Sequence, residues 1–127
     1  WGADWTALRR ALPGARDEAR ARALRDLCAD LSTTLPRLLD TGQDGALHTW
    51  FAGFEGLRLA LFPGLPRAYL ARRTDGHDRA VRAAVARGAA HFESLAHDLL
   101  TRWREAGPPA LAGITACLAG PGAVCSD

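Results

Sequence analysis

Apolar residues recur at steps of three and four along nearly the whole chain, and no alternation of apolar and polar residues is long enough for a convincing strand. That spacing lays one apolar stripe along a helix, whereas a half-buried strand repeats every second residue. The expected fold is all-α. The clearest seam is Leu24, Cys28, Leu31, Leu35 and Leu38, at steps of 4, 3, 4 and 3, on a helix that starts near Ala15. Its outer face pairs Glu18 with Arg22 and Arg22 with Asp26 at i, i+4, contacts worth a few tenths of a kcal/mol each. A second stripe, Val81, Val85, Phe92, Leu95, Leu99 and Trp103, places a long helix over residues 77–106. At 1.5 Å per residue such a helix spans about 45 Å, the length of a small bundle.

Proline and glycine punctuate these stripes. Asp4 is a candidate N-cap for a first helix that Pro13 and Gly14 end. Pro36 removes a donor inside the seam and disfavours helical geometry at Leu35, so the spacing predicts a kink or a restart there, with Ser32 or Thr33 as its cap. Residues 41–45 form a turn. Residues 46–62, with Leu47, Trp50, Phe51, Phe54, Leu57 and Leu61, are the most apolar stretch and the expected central helix. On it Gly53, Gly56 and Ala60 follow at steps of 3 and 4, the spacing of a smooth groove for close helix packing. Pro66 opens a short helix with Tyr69 and Leu70, and Asp75 or Gly76 precedes the long helix. Gly107, Pro108 and Pro109 end the long helix, and a last one follows over residues 110–118. These elements make one domain, residues 1–127, a bundle of five or six helices with short turns and a flexible Gly/Pro tail over residues 119–127.

Composition narrows the function classes. A chain of 127 residues, 48% hydrophobic and 24% charged, buries roughly two-thirds of its unfolded surface and needs no metal or disulfide staple. No segment reaches the roughly 18 uninterrupted apolar residues of a membrane span, because His48, Glu55 and Arg58 interrupt the most apolar stretch. Cys28, Cys117 and Cys125 form no C-x-x-C, and an odd number excludes a closed disulfide framework, so an intracellular, reducing compartment is expected. Cys28 on the seam reads as a small buried hydrophobe, and Cys117 with Cys125 can close a loop only under oxidising conditions. The chain opens on Trp1 without a signal peptide and contains no Met, as expected of a piece excised from a longer chain. All 16 basic residues are Arg, and Ala with Leu supplies 45 residues, the codon signature of a GC-rich genome such as that of an actinobacterium or a large DNA virus.

Net charge is +2, too small for binding through many phosphate contacts, so nucleic acid is not an expected partner. Residues 58–87 nevertheless carry seven Arg against Asp75 and Asp78, a local balance of +5. Arg67, Arg72 and Arg73 are the natural contacts for an acidic partner, since guanidinium forks bind oxyanions bidentately, and a solvated face is the plainer reading. Trp1 and Trp5, four apart, either staple the first helix or anchor another chain.

The residues that carry chemistry do not converge. Glu93 and His97 have ligand spacing, but His48, His77 and His91 lie elsewhere and no H-E-x-x-H occurs, so no metal is expected, and nothing fixes a proximal haem ligand. Ser32, Ser94 and Ser126 are in no nucleophile elbow, and Gly42-Gln43-Asp44-Gly45 lacks the Lys of a phosphate loop. The expectation is a protein without catalytic, cofactor or metal residues. Its leading function is a non-catalytic protein–protein interaction or assembly domain, of a viral structural or host-interaction kind, presenting Arg67, Arg72, Arg73, Trp1 and Trp5 to a partner or a second copy. The alternative is a helical sensor or regulatory domain that binds an apolar or anionic small molecule in a pocket of Trp50, Gly53, Phe54, Gly56, His91 and Phe92.

Overall fold

The computed structural model describes residues 1–120. Among them the chain is helical throughout, with no strand. The elements are α1 (Gly2–Ala11), α2 (Ala15–Ala29), a π-turn (Asp30–Thr34), α3 (Leu35–Asp40), α4 (Asp44–Ala52), α5 (Gly56–Leu61), α6 (Gly64–Asp75), α7 (Arg79–Ala106), a 3-10 turn (Pro108–Ala110) and α8 (Leu111–Ala119). The all-α bundle read from the spacing is the observed fold.

The axis of the bundle is α7. Against it pack α1, α2, the π-turn, α3, α6 and α8, with α6 the most extensive partner. Residues 46–62 were the expected centre, and here the structure corrects the sequence reading. Gly53 caps α4, Glu55 is extended at φ −147 and ψ 178, and Gly56 takes φ +66, a left-handed value that favours glycine. The break turns Phe54 inward, where its ring stacks on Trp50 at 5.0 Å with the Arg58 guanidinium 5.7 Å above it. Gly53 and Gly56 therefore serve the break between α4 and α5, not a packing groove.

Close packing occurs instead at Gly88. A Cβ there would lie 2.4 Å from Phe62 Cε2 and 3.0 Å from Leu31 Cδ1. Phe62 is fully buried, and its ring meets Phe92 at 5.6 Å, so it has no room to retreat. Trp5, Leu8, Leu24, Leu27, Leu35, Leu99 and Ile114 complete a single core.

Pro36 has the local effect expected, by a different device. Helices α2 and α3 run on through a turn one residue wider than an α-turn, in which the Leu35 N–H donates to the Asp30 carbonyl five residues back. Ser32 and Thr33 cap nothing; Ser32 Oγ donates back to the Cys28 carbonyl at 2.7 Å. The added residue delays the apolar face, so Leu39 is buried and Leu38 only half-buried. Gly76, at φ +74, closes α6 and, as read, precedes α7. Helix α8 extends to Ala119. The pairing of Cys117 with Cys125 and the expected tail from residue 121 onward lie outside the described residues.

Two outcomes follow from this core. Gly88→Ala gains about 1 kcal/mol of helix propensity but overpacks a fixed ring, so it is expected to lose about 1–2 kcal/mol net in chemical denaturation. Gly53→Ala, whose nearest foreign atom would be 3.7 Å away, stays within about 0.5 kcal/mol of the parent. A Gly88→Ala chain as stable as the parent would contradict the packing.

Burial pushes the Cys28 thiol up from 9.0 to about 12, and the Glu93 carboxylate adds to the rise. A thiol whose pKa rises on folding favours the folded state below the unfolded value and loses that contribution as pH climbs. Stability should therefore fall between pH 9 and pH 12, by up to roughly 1 kcal/mol per pH unit beyond the decline seen in Cys28→Ala. Parallel pH curves for the two proteins would contradict the assignment.

Candidate functional site

The residues singled out in the sequence are dispersed by the fold. Trp5 is 1% exposed and Trp1 43% exposed, their rings edge to face at 4.7 Å. Trp5 is thus a core residue that staples α1, which corrects its reading as a partner contact. Trp1 remains available and lines a recess of about 400 Å³ with Glu93, Ala96, His97 and Leu100.

The arginine patch is also divided. Arg67 and Arg73 are exposed on α6, but Arg72 is held within the fold. Its Nη2 donates to Asp44 at 2.6 Å and its Nε to Asp78, and these partners raise its pKa above the usual arginine value. Asp78 also lies 3.8 Å from Arg82, which donates to Asp40 at 2.6 Å. The resulting chain, Asp44, Arg72, Asp78, Arg82, Asp40, ties α4, α6, α7 and α3 together. Part of the local positive charge seen in the sequence is therefore neutralised from distant positions, which spacing could not reveal.

The pocket residues of the alternative reading form two groups. Trp50 meets Phe51 and Phe54, while Phe92 meets Phe62 and His91. Gly53 and Gly56 flank the break already described. Glu93 and His97 share a recess, and among the described residues no group of three His, Cys, Asp or Glu side chains could hold a metal ion.

A further recess lies where the sequence drew attention only to a kink. A groove of about 440 Å³ runs between the π-turn with α3 on one side and α7 on the other, lined by Leu31, Ser32, Pro36, Leu39, Asp40, Arg82, Val85, Ala86 and Ala89. Its lining is mainly apolar, and one end is closed by the Asp40–Arg82 ion pair. Arg82 Nη2 also donates to the Leu39 carbonyl at 2.9 Å, so the guanidinium is fixed from two sides.

The backbone at this groove is unusual. In an ordinary α-helix the carbonyls of Leu31 and Ser32 would receive the amides of Leu35 and Pro36. The first amide is given to Asp30, and the second does not exist in proline. The signal for this feature, a proline inside an apolar seam, was in the sequence. What it could not show was that α7 stands opposite and makes a recess of it.

Residues 1–120 match the family described as "Family of unknown function (DUF6866) C-terminal domain". No curated protein and no solved structure matches the chain. With nearly all of its length covered, the chain belongs to the DUF6866 family, as its C-terminal domain.

Proposed function

We propose that this protein is a non-catalytic helical interaction domain that receives a protein partner in the groove between α3 and α7. The observation that carries this reading is the groove itself: a recess of about 440 Å³ in which Pro36, Ala86 and Ala89 are open to solvent over the buried Leu31, Leu39 and Val85. Among the described residues only Trp1 and Leu70 are large hydrophobics counted as exposed, and an apolar recess with a fixed polar rim suits an incoming helix or side chain. The rim is preformed, because Asp40 and Arg82 hold each other at 2.6 Å, so binding costs little ordering of side chains. The polar groups of the groove are not arranged for proton transfer. Ser32 Oγ gives its hydrogen to the Cys28 carbonyl, and Asp40 is held in an ion pair with Arg82. Trp1, beside its own recess farther along α7, offers a second contact for the same partner.

A second reading, a domain that binds a small molecule, draws support from the groove's volume of about 440 Å³, which falls in the range of small-molecule sites. One experiment separates the two. A photo-crosslinking amino acid placed at Ala86, in the groove, and at Ala112, exposed on α8, is activated in the native host. A discrete protein adduct from position 86 and none from position 112 supports the interaction reading. Equal adducts at both positions, or none at 86, overturn it. A small-molecule mass on the native monomer that the groove-filling Ala86→Trp variant loses establishes the second reading instead.

A further inference from the structure

The groove also states what kind of group it accepts, through the hydrogen-bonding capacity that its walls leave unused. Part of the donor capacity is committed. Arg82 Nη1 donates to Asp40 and Nη2 to the Leu39 carbonyl, and the Ser32 hydroxyl donates to the Cys28 carbonyl. Acceptor capacity is open at the π-turn. Ser32 Oγ keeps its lone pairs, and the carbonyls of Leu31 and Ser32 have lost the amides of the ordinary helical register, one to Asp30 and one to the missing N–H of Pro36. Helical carbonyls project toward the C-terminal end of their helix, so these two project toward Pro36, and all three residues line the groove. Ser32 is exposed, which gives a ligand access to this turn.

The remaining lining selects by shape and charge. Pro36, Leu39, Val85, Ala86 and Ala89 are apolar, and the two alanines leave a low floor on which a ring can lie. The Asp40 and Arg82 charges cancel at one end, so the groove favours a neutral occupant over an ion.

We propose that the groove takes a neutral, planar apolar ring bearing an N–H donor, the indole of a partner's tryptophan, with its donor directed to the acceptors at the π-turn. This rests on the reading of the groove as the docking site and names the anchor that the partner supplies. An indole buries a large apolar face while its single N–H needs a partner, and this groove offers an apolar floor of Pro36, Ala86 and Ala89 with acceptors at the π-turn.

The test uses indole and 1-methylindole as probes, with binding followed by NMR shifts of the whole chain. The expected result is that indole shifts Leu39, Val85, Ala86 and Ala89, and binds at least about tenfold more tightly than 1-methylindole, which has the same ring and no donor. Pro36→Ala supplies the absent amide to the turn without filling the groove. It should still fold and should reduce the preference for indole to within about twofold. Ala89→Phe, which fills the floor, should abolish the shifts from both probes. Equal binding of the two probes, shifts confined to other surfaces, or an unchanged preference in Pro36→Ala would each overturn the proposal. If the photo-crosslinker at position 86 captures a partner while the probes bind equally, this inference fails and the interaction reading stands. If neither experiment gives a signal at the groove, both fail.

Discussion

The missing side chain at Gly88 is the point on which the packing depends. It lets the Phe62 ring and the Leu31 side chain press directly on the backbone of α7, where a methyl group would sit 2.4 Å from one and 3.0 Å from the other. Three separate pieces of chain meet there: the segment after α5, the π-turn and the long helix. Phe62 in turn meets Phe92, one helical turn further along α7, with the two rings tilted. Leu31 holds the π-turn at a fixed height over α7, and Val85 and Ala89, on either side of Gly88, become one wall of the groove. Core and groove are thus two faces of the same contact.

The wide turn is tolerated because of this anchorage. A residue inserted into a helix rotates everything after it, and here the rotation brings Leu39 under cover in addition to Leu35. The cost is borne by the backbone, which gives up regular hydrogen bonds where Pro36 can donate none. The ion-paired chain from Asp44 to Asp40 then fixes the ends of α3, α4, α6 and α7 relative to one another. Surface pairs of this kind contribute little stability singly, so their effect is on geometry: they set the rim of the groove and remove Arg72 from the exposed patch.

The periodic parts of the molecule were legible in the sequence, because apolar stripes are local. The seam through Leu24, Cys28, Leu31 and Leu35, the stripe of α7 and the stop at Gly107 all stand as read, with helix ends shifted by a residue or two. Residues 46–62 misled because their apolar content is that of one long helix, while two glycines separated by Phe54 and Glu55 also suit a break. Only the tertiary burial of Phe54 decides between them. Trp5 was ambiguous for the same reason, since an indole suits a core as well as an interface. The groove itself was illegible. Its walls are some 50 residues apart in sequence, as Pro36 and Ala86 are, and no local pattern announces that juxtaposition.

The account turns on the backbone between Asp30 and Pro36, and NMR couplings transmitted across hydrogen bonds read it directly. The structure requires the Leu35 amide to couple to the carbonyl carbon of Asp30 and not to that of Leu31. A cross-peak from Leu35 to Leu31 would mean an ordinary helical register, a satisfied carbonyl and a groove without its polar wall, and would contradict the central claim.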